Sequence, residues 1–218
     1  MRTLCIYCCG GLGREIYDLA YSINAIEMRW KSICFIDDIR HNTKINDIDV
    51  YSFNSINEAK NKKDLEIVIA SGEPSIRAKL HKKLRDYEFI LTNLRSNNSF
   101  ISPFFSLAEG VVIFPNCFIG PNTKIGVNTV FHANSMISHD SSIGDNSMVC
   151  PGVNIAGCVT IGNEAFIGIG ASIKNSLIIG DNTILGFGSN LANNLENSSI
   201  AMSSVAKKIG MNDNRKVF

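Results

Sequence analysis

One histidine in the chain is followed directly by a carboxylate, His139 by Asp140. Imidazole titrates near neutral pH, and an adjacent carboxylate can hold its tautomer and stabilise its protonated form. The pair therefore suits a general base that takes a proton from an attacking amine or hydroxyl. The plain alternative is an exposed residue at a bend. A second suggestive stretch is Gly10-Gly11-Leu12-Gly13, between a strand-like and a helix-like segment, where backbone N–H groups and the helix dipole can receive an anion. It lacks the full G-x-G-x-x-G spacing, and Cys8 stands where the first glycine of a dinucleotide site is expected, so NAD is not the leading reading. The acidic pair Asp37-Asp38, closing a second apolar run, suits either a ligand contact or a solvated loop or cap. The four histidines show no ligand spacing with the seven scattered cysteines. They read as packing in a reduced, cytosolic protein, and no metal site is expected.

These residues need elements to hold them. Over the first ninety or so positions, strand-like runs (Leu4 to Cys9, Ser32 to Ile36, Glu66 to Ala70, Phe89 to Leu94) alternate with helical spacing at Ile16, Leu19, Ala20 and Ile23 and a basic helix from Pro74 to Asp86. Such alternation predicts a parallel sheet covered by helices, a small Rossmann-like α/β domain over residues 1–95. The polar segment Arg95 to Ser99 suits a junction.

From Ile101 the pattern changes. Steps of six give Ile101, Leu107, Ile113, Ile119 and so on to Leu185 and Leu191, sixteen apolar residues in succession. With about half of residues apolar, chance yields such a run on the order of once in 10⁵, so the period is real. Two positions before each hit the residue is mostly small or β-branched, as at Thr123, Ser135, Ser147 and Ala165, and glycine often follows it. A period of six fits neither an α-helix nor one long strand. Short strands joined by tight corners, three per coil, satisfy it: the aliphatic fills the coil axis and each coil buries its faces on the next. Residues 96–218 are therefore expected to form a parallel β-helix, with Asn193 to Asn197 turning out of it and the tail capping the last coil.

The chain resembles the bacterial sugar acetyltransferases that include the sialic acid O-acetyltransferases and the N-acetyltransferases of nucleotide-linked amino sugars. The resemblance spans nearly the whole chain. It rests on Tyr7 to Gly13, Phe35-Ile36-Asp37-Asp38, Ile69-Ala70-Ser71-Gly72, Ile101-Ser102-Pro103 and, above all, Asn134 to Asp140 followed by Ile143-Gly144. It implies a left-handed β-helix, acetyl-CoA as co-substrate, a homotrimer with active sites between subunits, and His139 as base with Asp140 as its partner. In the amino-sugar branch a second histidine often follows nine residues after the base; Met148 stands there and is carried as a cofactor contact. Gly157, Ile169 and Phe187 would line coenzyme A, Lys207 or Lys208 would reach its phosphates, and the N–H of Gly157 or Gly152 would serve the oxyanion. Gly10, Gly11, Leu12, Asp37, Asp38 and Gly72 would contact the nucleotide of the sugar.

The expected activity is acetyl transfer to a sugar, preferably the amino group of a nucleotide-linked amino sugar, in surface glycan biosynthesis. O-acetylation of sialic acid or another free or linked sugar is the neighbouring reading, and a non-catalytic oligomeric sugar-binding scaffold is the rival of another class. A net charge of +1 gives no field for nucleic acid or an anionic membrane surface. No stretch approaches the roughly 20 apolar residues of a membrane span, so a cytoplasmic protein is expected.

Overall fold

The structure, a computed structural model, describes residues 1–58 and 62–203. A sheet of five strands comes first: β1 (Arg2–Tyr7), β2 (Trp30–Ile36), β3 (Thr43–Ile45), β4 (Ile48–Tyr51) and β5 (Leu65–Ile69), in the spatial order β3-β4-β2-β1-β5. All pairs are parallel except the hairpin β3–β4, whose two-residue turn puts Asn46 and Asp47 at positive φ, 49° and 64°. That hairpin leaves no apolar run in the sequence. β1 is buried on both faces, with Leu4 and Ile6 toward the core shared with α1 (Gly11–Glu27) and Cys5 and Tyr7 toward the core shared with α2 (Phe53–Asn57) and α3 (Pro74–Asp86).

The fourth strand expected over Phe89 to Leu94 does not form. Leu91 makes a single bridge to Ile67, and Leu94-Arg95 already belongs to the β-helix, paired with Val112-Ile113. The polar stretch behind it is a corner of the first coil, not a free junction. Its hydroxyls bond the next coil's backbone: Ser99 Oγ donates to Phe114 O at 2.7 Å and accepts from Cys117 N–H at 3.1 Å.

The left-handed β-helix has three faces, of seven, six and five parallel strands, visited in that order by each coil. Strands stack with partners eighteen residues apart, as Phe118 on Met136 and Met136 on Asn154. The six-spaced apolar side chains point to the axis, and Ile113, Phe131, Val149 and Ile167 are fully buried. Asparagine takes up the left-handed corner conformation, for example at Asn116, Asn122, Asn128 and Asn134 (φ 54° to 60°). The coil does not end at Leu191 as expected. Leu195 bridges Ile179 and Ile200-Ala201 pairs with Ile184-Leu185, sixteen residues apart instead of eighteen, so the last coil is two residues shorter and still stacked. The expected tail cap and Lys207 and Lys208 lie outside the described residues.

The α/β domain covers the start of the seven-strand face. There Leu94, Val112, Val130 and Met148 point outward and are buried with Ile16, Leu19 and Ile23 of α1 in one continuous core. Each such side chain is worth about 1.5–3 kcal/mol relative to exposure. No helix among the described residues is long and apolar enough to cross a membrane.

Candidate active site

His139 and Asp140 stand on the prism edge between the six-strand and five-strand faces, opposite the face that carries the α/β domain. Asp140 takes the left-handed corner position (φ 56°), which turns its carboxylate back onto the preceding ring: Oδ2 lies 2.8 Å from His139 Nδ1. Asn122 Nδ2, one coil before, donates to Oδ1 at 2.9 Å. The Asn122 and His139 hydrogen bonds hold the Asp140 carboxyl below the usual carboxylate range. With Nδ1–H donating to Asp140, Nε2 keeps its lone pair, and the ring is exposed, so it can receive a proton from outside.

The ring rests on Gly157 of the next coil. A Cβ there would lie 2.7 Å from both His139 Cε1 and Nε2, so only glycine lets the imidazole occupy this place. The Gly157 N–H has no partner among the described residues, whereas Gly152 N–H already donates to Ala133 O at 3.1 Å. Of the two expected oxyanion donors, Gly157 alone is available.

His132 shows what a structural histidine looks like. Its Nδ1 accepts from Ala133 N–H at 2.9 Å, so its Nε2–H donates to Glu15 at 3.0 Å, and no lone pair is left to act as a base. Its ring stacks on Phe114 with 4.2 Å between centroids.

The remaining expected contacts are dispersed within one chain. Ile169 and Phe187 are exposed, 60% and 56%, on the edge between the seven-strand and six-strand faces. Met148 lies in the core between the two domains, 5% exposed. The hollow of about 550 Å³ bounded by Arg29, Lys62, Glu66 and Ile90 includes none of them and does not include His139.

The glycine-rich loop follows β1. Cys8 adopts φ 84°, a conformation that normally selects glycine, and a Cβ on Gly13 would collide with the Cys8 carbonyl, so Gly13 serves the close approach of helix to strand. Gly10, Gly11 and Gly72 have open space where a Cβ would stand. Gly10 caps α1 with no side chain on the first-turn N–H groups. With α1 on one side of the sheet and α3 on the other, the loop and Gly72 flank the crevice at the carboxyl ends of β1 and β5, a switch point of an open α/β sheet.

Asp37 and Asp38 close β2 beside this crevice and are engaged in the fold. Asp37 Oδ1 accepts from the N–H groups of Ile39 and Arg40, and its Oδ2 from Cys9. Asp38 accepts from Tyr7 Oη at 2.6 Å, Lys83 Nζ at 2.9 Å and Phe53 N–H at 2.9 Å. Burial alone would raise the Asp38 pKa, but the bonds from Lys83, Tyr7 and Phe53 bring it below the usual range. Cys5 and Cys8, although three positions apart, do not converge: Cys5 packs on Cys34 in the α3-side core, and Cys8 lies in the turn.

Residues 3–84 match the family model of the PglD N-terminal domain, and residues 122–157 match that of the bacterial transferase hexapeptide, six repeats. Comparison with curated proteins gives no match. Among solved structures, the acetyltransferase domain of PglB from Neisseria gonorrhoeae is 20% identical, covering 96% of this chain and 100% of that one with a TM-score of 0.87. A mutant GDP-perosamine N-acetyl transferase from Caulobacter crescentus, in complex with CoA and GDP-perosamine, is 23% identical over 97% of this chain and 98% of its own, TM-score 0.86. WeeI from Acinetobacter baumannii is 25% identical over 92% and 96%, TM-score 0.74.

Proposed function

We propose, from the chain's place in the hexapeptide-repeat superfamily with a PglD-type domain in front, that it is an acetyl-CoA-dependent sugar acetyltransferase of surface glycan biosynthesis. Its preferred acceptor is the amino group of a nucleotide-linked amino sugar. The observation that carries this is the exposed His139, fixed through Nδ1 by Asp140 at 2.8 Å and resting on Gly157. The similar fold from Caulobacter crescentus, an N-acetyl transferase in complex with CoA and GDP-perosamine, favours nitrogen over oxygen as the acceptor.

His139 Nε2 removes the proton of the attacking amine as the new C–N bond forms at the thioester carbonyl. Asp140 stabilises the imidazolium. The Gly157 N–H faces the developing oxyanion. Collapse of the tetrahedral intermediate breaks the C–S bond, and His139 returns its proton to the leaving thiolate. Ile169 and Phe187 offer an apolar ledge to the pantetheine arm. The nucleotide sits over Gly10, Gly11, Leu12 and Gly72, with Asp37 and Asp38 shaping the crevice wall.

A single chain carries that crevice on one side of the prism and His139 on the opposite edge, and its Ile169 and Phe187 on a third. A cyclic homotrimer in the cytoplasm, with His139 of one subunit facing the ledge and crevice of another, closes the site. The test is turnover with acetyl-CoA and nucleotide-linked amino or hydroxyl sugars, read by mass analysis. Acetylation of the amine is expected, with His139→Ala losing about 10²–10⁴-fold while folding and oligomeric state persist. Full activity in that variant removes His139 from the mechanism.

A further inference from the structure

Coil stacking brings a third group to the His139–Asp140 pair. Cys158 stands one coil beyond Asp140, in the same left-handed corner (φ 60° against 56°), and its N–H donates to His139 O at 2.9 Å. An imidazole nitrogen, a carboxylate oxygen and the thiol sulfur lie within 4.8 Å of one another, and all three residues are exposed. We infer that His139, Asp140 and Cys158 bind a thiophilic divalent cation of the Zn²⁺ class, and that its binding shuts off acyl transfer by occupying the imidazole.

The donor set selects the ion. One nitrogen, one oxygen and one sulfur suit Zn²⁺, which bonds them at about 2.0–2.3 Å in a tetrahedron completed by water. Mg²⁺ and Ca²⁺ call for oxygen ligands and would leave the thiol unused. Bonds of that length put donors about 3.3–3.7 Å apart, and rotation of the exposed side chains brings atoms that already lie within 4.8 Å of one another to that spacing. The frame beneath them is fixed by the Cys158–His139 backbone bond and by Asn122 on Asp140. Cys158 is also the exposed thiol of the chain; Cys8 is half-buried and the other five are buried.

Only the inhibitory consequence rests on the acyl-transfer reading, so the test has two readouts. In the first, the full chain is titrated with Co²⁺, whose thiolate complexes show a near-ultraviolet charge-transfer band. A saturating band is expected for the wild type and none for Cys158→Ser. A band of equal strength in both, or in neither, overturns the site. In the second, acetyl transfer is measured against Zn²⁺. Cys158→Ser keeps its metal-free turnover, and its inhibition constant for Zn²⁺ rises at least tenfold, with a chelator restoring the inhibited wild type. Equal Zn²⁺ sensitivity in the two proteins overturns the inhibitory role. A Cys158-dependent band in a protein that transfers no acetyl group supports the site and removes the acyl-transfer reading instead.

Discussion

At the scale of residues, the contrast between His132 and His139 explains why one histidine can be a base and the other cannot. Each ring nitrogen of His132 is committed, one to a backbone N–H and one to Glu15. His139 commits only Nδ1. The sequence displays half of this distinction, the Asp140 beside His139; the Glu15 partner of His132 lies 117 positions away and has no local signature. Gly157 and Cys158 stand eighteen positions beyond His139 and Asp140. Once the coil length is known from the period of six, adding eighteen to a chosen residue finds its neighbour. Gly157 invites a direct test. Alanine there forces the imidazole off its seat, because the new Cβ would be 2.7 Å from two ring atoms, while the ring is exposed and free to swing. Turnover of Gly157→Ala should fall by up to about 10²-fold, the cost of misplacing a catalytic group by about an ångström. Its thermal midpoint should stay within a few degrees of the wild type, measured by circular dichroism alongside steady-state kinetics.

At the scale of elements, the edge between the five-strand and seven-strand faces shows why glycine and short polar side chains alternate there. Asp145 Oδ1 accepts from Val127 N–H, Asn163 Oδ1 from Asp145 N–H, Asp181 Oδ1 from Asn163 N–H and Asn197 Oδ1 from Asp181 N–H, at 2.6–2.9 Å. Each rung passes over a glycine. A Cβ on Gly162 would lie 2.6 Å from Asp181 N and 2.8 Å from Gly180 C, so Gly162→Ala must displace backbone. It should lower unfolding free energy by about 1–3 kcal/mol, read from urea denaturation, whereas Gly170→Ala meets no contact but carries a left-handed φ of 67°. The ladder survives the shortened last coil, since Asn197 reaches Asp181 across sixteen residues. The hexapeptide period could not reveal that survival, because a two-residue deletion looks the same in sequence as an exit from the helix. The α/β half answers to acid. Asp38 ties β2 to α2 and α3, and Glu66, bonded by Trp30 Nε1, Thr92 and Arg2, is likewise held below its usual pKa despite burial. Carboxylates with lowered folded pKa values contribute stability above their unfolded values near 4, and that stability is lost as pH falls through their folded values. Fluorescence of Trp30, the single tryptophan, should therefore report earlier unfolding by urea at pH 3 than at pH 7.

At the scale of the whole molecule, the two halves are joined by more than apolar packing. Arg77 of α3 is fully buried and has no carboxylate partner among the described residues. Its Nη1 donates to Ile69 O and Ser71 O inside the α/β domain, and its Nε and Nη2 donate to Asn128 at a corner of the β-helix. Asn128 Nδ2 returns a bond to Arg77 O at 3.2 Å and another to Asn146 at 2.9 Å. Burial pulls the guanidinium pKa down to about 9, still above neutrality, so the group remains charged and four carbonyl oxygens solvate it. In sequence Arg77 is one cation in a basic helix, indistinguishable from its solvated neighbours, because nothing local says which turn of α3 will face the other domain. The orientation of the glycine-rich crevice relative to the coil depends on this junction, since α3 begins at Pro74, two residues after Gly72 of the crevice. Arg77→Met keeps the length and apolar stem but leaves the carbonyls of Ile69, Ser71 and Asn128 without their donor, each costing about 1–3 kcal/mol if it stays dry. The wild type should unfold as one unit because a continuous core spans both halves. In Arg77→Met the Trp30 fluorescence transition should move to lower urea and separate from the far-ultraviolet signal of the β-helix, which should move less. Coincident transitions in the variant, at the wild-type midpoint, would show that apolar packing alone couples the halves.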